Sequence, residues 1–250
     1  MARSRYVPIV TDTALNGIHI PLAALPSALG RCALTLFVVN DDPIYKASLR
    51  GSATCLLVHN HYIVACCYHQ FKDIDPQKIG LLTKGGETLV TSGGVRHFID
   101  RNDSEFHDLA LFDFTEPCQA IPELREHFHR FVVIPPAAPS DDAMFVQVSG
   151  FPIADQTYDL AENNHISLAK RHIHCDILQP SHDESVVLLG PHKPLDFLPD
   201  GLSGGPAFTV QRIGNQPTCW YRDARRKRQD LYPQKRIHSV SDPCLPQLVR

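Results

Sequence analysis

Along its first 210 residues the chain alternates short apolar runs with clusters of Gly, Pro, Asn and Asp. The runs are Ala33–Val39, Ala53–Val58, Tyr62–Cys67, Glu87–Thr91, Leu109–Phe114, Phe131–Ile134, Met144–Ser149, Ile166–Leu168, His172–Leu178, Ser185–Leu189 and Pro206–Val210. They are too short for ordinary helices, and turn-forming residues bound them, so the pattern predicts strands. Twenty prolines argue further against long helices. Pro117–Arg130 is the best helical segment, and Pro135–Pro139 reads as a linker. So many short strands with so little helical periodicity predict an all-β fold, in sandwiches or barrels. No internal repeat is visible. A domain boundary is expected within 116–140.

Composition changes this picture little. A chain of 250 residues, 43% hydrophobic and 20% charged, can bury a sizeable core as one large domain or two small ones. A net charge of −3 selects no partner. No run of about 18 apolar residues appears, so no membrane-spanning helix and no membrane partner are expected. The segment Ile18–Gly30 is broken by His19, Pro21 and Pro26, which argues against a secretory signal. The eight cysteines, at 32, 55, 66, 67, 118, 175, 219 and 244, are scattered and read as reduced, buried thiols. A cytoplasmic location is therefore expected. Residues 212–250 differ, with nine Lys/Arg against three Asp/Glu and the run Arg222-Asp223-Ala224-Arg225-Arg226-Lys227-Arg228. Such a run is read as a solvated segment rather than a nucleic-acid surface.

Chemistry concentrates at Gly201-Leu202-Ser203-Gly204-Gly205-Pro206. Glycines on both sides of Ser203 admit tight backbone conformations and leave the hydroxyl unshielded. A hydroxyl is a weak nucleophile that needs a base, which in turn needs an orienting group. His69 follows the apolar stretch Val64-Ala65-Cys66-Cys67-Tyr68, and Asp108 directly precedes the run Leu109–Phe114. These placements would anchor an imidazole and a carboxylate at the ends of strands. The order His69, Asp108, Ser203 makes them candidate base, orienter and nucleophile.

With these motifs the chain resembles the trypsin-like serine peptidases of the chymotrypsin fold, over roughly residues 45–210. Ser149-Gly150-Phe151-Pro152 is similar to the turn that enters the second barrel in that family. The resemblance implies two antiparallel Greek-key β-barrels with the site in the cleft between them. His69 and Asp108 would come from the first barrel and Ser203 from the second. The N–H groups of Gly201 and Ser203 would form the oxyanion hole. The implied division is 1–40 as an N-terminal extension with a first strand, 41–128 and 129–211 as the barrels, and 212–250 as a basic, divergent tail. The implied activity is that of a serine endopeptidase on protein or peptide substrates, without cofactor or metal.

Three positions and the C-terminal segment depart from the pattern. Leu202 stands where secreted members carry an Asp that pairs with a newly cut N-terminus. This points to the intracellular or bacterial-type branch, competent without activation cleavage. Gln70 replaces the cysteine that usually follows the base. Phe197 stands where trypsin-like specificity would place an aspartate. No Gly follows Gly214, and 212–250 shows little strand pattern, so the second barrel is expected to be incomplete, with an unpaired edge. Two rival functions follow: a catalytically inactive binding module on the same fold, or a zinc site drawn from His59, His61, Cys66, Cys67 and His69. The absence of CxxC or HExxH spacing counts against zinc.

Overall fold

Most of the apolar runs form strands of two large, mainly antiparallel sheets. The computed structural model describes residues 12–15, 18–83, 86, 88–97, 108–130, 143–180, 186–213, 216–225 and 237–240. Two short strands, β1 (Asp12–Leu15) and β2 (Ile18–Pro21), and a short helix α1 (Leu25–Gly30) come first. The first large sheet holds β3 (Ala33–Val39), β4 (Ala47–Val58), β5 (His61–Cys67), β6 (Ile79–Leu82), β7 (Leu89–Thr91), β8 (Gly94–His97) and β9 (Leu109–Asp113). Their spatial order is β7-β6-β3-β4-β5-β9-β8. The two edge strands, β7 and β8, are separated in the chain by residues 92 and 93 alone, so the sheet must curl until its edges meet. Inside the curl lies an apolar core that includes Leu36, Val64, Phe112 and Phe114.

Local chemistry explains two bends in this sheet. β4 shifts register against β3 between Leu36 and Phe37, beside Gly51, whose φ of +133° is open to glycine. The β4–β5 hairpin turns on His59 and Asn60, with φ of 46° and 70°. Both central residues of a type I′ turn need φ above zero, which matches the right-handed twist of the strands.

Between the sheets, α2 (Thr115–Ala120) and a 3₁₀ segment (Pro122–His127) occupy the predicted helical stretch, followed by β10 (His129–Arg130) beside β4. The second sheet contains β11 (Ala143–Gly150), and a small separate hairpin of β12 (Thr157–Asp159) and β13 (His165–Ser167) follows it. Its further strands are β14 (Arg171–Pro180), β15 (Val186–Pro191), β16 (Pro206–Ile213), β17 (Gln216–Arg225) and β18 (Ile237–Val240). The pairings run β16-β11-β14-β15-β18-β17, and β17 pairs back onto β16. Six strands thus close a ring, and β1 lies parallel to β17 outside it.

This closure corrects the expectation of an incomplete second barrel. β17 and β18 come from the segment read as a divergent tail. The overlooked signal is Gly214-Asn215 between Ile213 and Gln216, which pair with each other. Gly-Asn between two runs is a hairpin signal in a sequence, and Thr218, Trp220 and Tyr221 favour a strand. The basic run from Arg226 to Arg228, Phe131–Ile134 and Pro135–Pro139 lie outside the described residues. Among the described residues no helix is long and apolar enough to cross a membrane.

Candidate active site

Asp108 immediately precedes β9, and the Cys67–Leu109 pairing across the ladder sets it beside the end of β5. The chain then leaves β5 in a single 3₁₀ turn, Tyr68–Gln70, which swings His69 back over Asp108. Three bonds fix the pair. Asp108 Oδ1 accepts from the His69 backbone N–H at 2.8 Å, and the Asp108 carbonyl accepts from the Tyr68 N–H at 3.1 Å. Asp108 Oδ2 lies 2.6 Å from His69 Nδ1. A carboxylate only accepts, so the neutral imidazole carries its proton on Nδ1 and its lone pair on Nε2. The His69 side chain is 47% exposed and that of Asp108 20%, so the ring reaches solvent while the carboxylate is sheltered.

The nucleophile loop is held from both barrels. Leu202 is 3% exposed and packs with Val146, Val148, Ile173, Leu189 and Ala207 in the second-barrel core. Phe197 packs against the same cluster, with the Arg171 guanidinium 5.3 Å from its ring centre, and Arg171 pairs with Asp155 at 2.7 Å. Gly201 has φ of +94°, and a Cβ there would come within 2.5 Å of the Phe151 carbonyl. A side chain at Gly201 would therefore be both strained and blocked.

The first barrel supplies Ser52, Thr54 and Gln70. The Ser52 hydroxyl donates to the Gly201 carbonyl at 2.6 Å and accepts from the Phe151 N–H at 2.8 Å, while the Ser52 N–H also reaches the Gly201 carbonyl. Thr54 Oγ1 donates to the Gly204 carbonyl at 2.9 Å. Gln70 Nε2 donates to the Ser203 carbonyl at 2.7 Å and to the Ser52 carbonyl at 3.3 Å, and Gln70 Oε1 accepts from the Cys67 N–H. Ser52 and Thr54 were not predicted as site residues. Their signal is a polar pair at alternate positions leading into the apolar second half of β4, both with no exposed surface.

His69 and Asp108 are therefore bonded to each other, and Gln70 ties their segment to Ser203. Among the described residues no hydrogen bond joins the Ser203 hydroxyl to the His69 ring. Catalytic contacts are commonly long without substrate and tighten on binding. Ser203 is 7% exposed, at the edge of the loop. Among the described residues nothing accepts from the Gly201 or Ser203 N–H, while the Leu202 N–H is taken by the Pro199 carbonyl. The set thus has a polarised imidazole, a hydroxyl and two unused peptide donors. That is the equipment of acyl transfer.

The zinc set read from the sequence is only partly brought together: Cys67 and His69 lie close to each other, with Asp108. His59 sits in the hairpin turn, and His61 lies 3.9 Å from Asp113 at the far end of β5. Adjacent Cys66 and Cys67 belong to opposite faces of the strand.

No family model matches this chain, and no curated protein does either. Solved structures do. The inactivated protease paralogue S-I1 of the scabies mite aligns at 12% identity and a TM-score of 0.52, covering 88% of this chain and 93% of its own. The scabies mite paralogue S-D1, also inactivated, gives 9% identity and 0.51 over 96% and 95%. Human heparin binding protein gives 10% identity and 0.51 over the same shares. At these identities the likeness is one of fold: a nearly all-β, chymotrypsin-like double barrel.

Proposed function

We propose that this double barrel is a serine endopeptidase that cleaves peptide bonds through an acyl-enzyme. The observation that carries the reading is the Asp108–His69 pair. The carboxylate fixes the tautomer, leaving Nε2 as the only ring position able to take a proton. Ser203 Oγ attacks the scissile carbonyl as His69 Nε2 accepts its proton. Gly201 and Ser203 N–H groups receive the developing oxyanion, and His69 then returns the proton to the leaving amine. Water repeats the sequence to free Ser203. Loss of a single oxyanion donor raises such a barrier by about 3 kcal/mol.

Leu202 supports activity without activation cleavage, because an apolar side chain buried in the core leaves no buried charge waiting for a partner. Phe197, packed in that cluster, argues against a Lys- or Arg-selecting pocket of the usual kind. Six described cysteines are buried and in no disulfide, and for two of them, Cys32 and Cys175, burial pushes the thiol up to about 12. Such thiols are unreactive and suit the proposed cytoplasmic location.

A second reading is an inactive binding module. It is favoured by the missing Ser203–His69 bond and by two structural neighbours described as inactivated proteases. A fluorophosphonate probe decides between them. Labelling of the wild-type protein that disappears in Ser203→Ala supports the peptidase. Folded wild-type protein that stays unlabelled overturns it in favour of the module.

A further inference from the structure

The fold separates most of the metal ligands suggested by the sequence, but it keeps Cys67 and His69 together and adds Asp108. One sulfur of Cys67, one ring nitrogen of His69 and one carboxylate oxygen of Asp108 all lie within 4.8 Å of one another. We propose that Cys67, His69 and Asp108 form a three-ligand site for a thiophilic divalent cation, Zn²⁺ foremost, and that its occupancy switches off His69 as a base. The regulatory half rests on the peptidase reading; the binding half does not.

Three features suit the cation. First, the ligands are of mixed softness, and thiolate, imidazole and carboxylate are the three groups by which proteins bind zinc. Bond lengths of about 2.3 Å to sulfur and 2.0–2.1 Å to nitrogen and oxygen put tetrahedral ligand atoms about 3.3–3.6 Å apart, so a cation would replace the 2.6 Å His69–Asp108 hydrogen bond, spreading that pair while drawing in the more distant atoms of the trio. Second, the strand holds one ligand in place and leaves another accessible to solvent. Cys67 and Leu109 are ladder partners, which holds Cys67 beside Asp108. His69 sits two residues beyond the strand with a half-exposed ring. Third, the charges balance: a thiolate and a carboxylate offset the cation, and the Gln70 N–H already donates to the Cys67 side chain, as it would to a thiolate. The sulfur is buried and the imidazole exposed, so a cation would reach the site from the His69 side.

The proton balance is simple. Binding releases the Cys67 thiol proton to solvent. Ligation through Nδ1 moves the ring proton to Nε2, and ligation through Nε2 consumes the lone pair there. Either way His69 can no longer accept the Ser203 proton.

The test titrates Co²⁺ into the full-length, reduced, metal-free protein. The expected result is a 1:1 complex with a thiolate-to-cobalt charge-transfer band and tetrahedral d–d bands, both erased by Zn²⁺. Cys67→Ser should remove the charge-transfer band. His69→Ala, a surface substitution that keeps the fold, should weaken affinity more than about tenfold, the least expected for lost metal support. Zn²⁺ should also slow fluorophosphonate labelling of Ser203, reversibly on chelation. Absence of the band, or a band that survives both variants, overturns the site. A normal band with labelling unmoved by Zn²⁺ overturns the regulatory half. A normal band in a protein that never labels sinks the peptidase reading and leaves the metal site standing.

Discussion

The amide of Gln70 donates to the backbone carbonyl of Ser203 at 2.7 Å, so the residue following the proposed base holds the peptide of the proposed nucleophile. The same amide reaches the Ser52 carbonyl, and its oxygen takes the Cys67 N–H. One side chain thereby joins three backbone segments from both barrels, in place of the covalent bridge that the resemblance would put there. Gln70→Ala leaves these groups unpaired and is expected to cost about 1–3 kcal/mol in urea unfolding. It should also slow fluorophosphonate labelling by about tenfold to a hundredfold, the penalty of a misplaced reacting atom. Gln70→Asn, one methylene short, should not restore the rate. Labelling at the wild-type rate in a destabilised Gln70→Ala would reduce Gln70 to a purely structural tie.

Asp108 fixes the imidazole through its side chain and the turn through its backbone. Asp108→Asn keeps the size but offers a donor where Nδ1–H needs an acceptor, which favours the wrong tautomer. The labelling rate is expected to fall by about 10⁴-fold, with near-native circular dichroism. A fall of less than about tenfold would remove Asp108 from the mechanism.

Leu202 supplies apolar surface to the second-barrel core from within the nucleophile loop. Leu202→Ala should cost about 2–4 kcal/mol through lost burial and the cavity left behind. Leu202→Asp should be worse, because nothing in that cluster pairs with a charge. Thermal denaturation of the two variants checks the order; equal midpoints would mean that the loop does not depend on this anchor.

A pH dependence follows from His172. Its Nδ1 lies 2.9 Å from the buried Ser149 hydroxyl, and a Cβ on Gly30 would meet its ring at 2.3 Å. Burial first, then the charges of Lys170 and His174, lowers its pKa below the ordinary 6.5. The unfolded chain then binds a proton that the folded chain refuses. The stability is complete above about pH 6.5 and is lost as pH falls toward the folded value. His174 and His129 are lowered in the same sense, again chiefly by burial. Urea midpoints should therefore drop between about pH 7.5 and about pH 5.5, and drop less in His172→Gln. Parallel declines in the two proteins would show that His172 is not a titrating group of this transition.

Much of this architecture was legible in the chain. Ala33–Val39 was predicted with the bounds it has, and Tyr62–Cys67, Met144–Ser149 and Pro206–Val210 each lie within an observed strand. Ala53–Val58 covers only the second half of β4, which begins at Ala47 and passes through Gly51, where polar residues interrupt the apolar pattern. Side chains with distinctive chemistry, His69, Asp108 and Ser203, announced themselves. Ser52 and Gln70 did not, because their partners are main-chain carbonyls 149 and 133 residues away. Every residue carries a carbonyl, so such a bond leaves no mark in the sequence of the partner. β17 was missed for another reason: its charged residues mask a strand that pairing on both sides imposes.

Closure of the second ring also has a temporal side. β17 and β18 follow Ser203 in the chain, yet they are two of the six strands that enclose the core under Leu202. During synthesis the nucleophile motif leaves the ribosome before the strands that complete its surroundings. The first barrel, with His69 and Asp108, can fold earlier, but the loop bearing Ser203 gains its full support only after residue 240 has been added. A nascent chain therefore carries every residue of the proposed triad before it has the strands that complete the second ring around them.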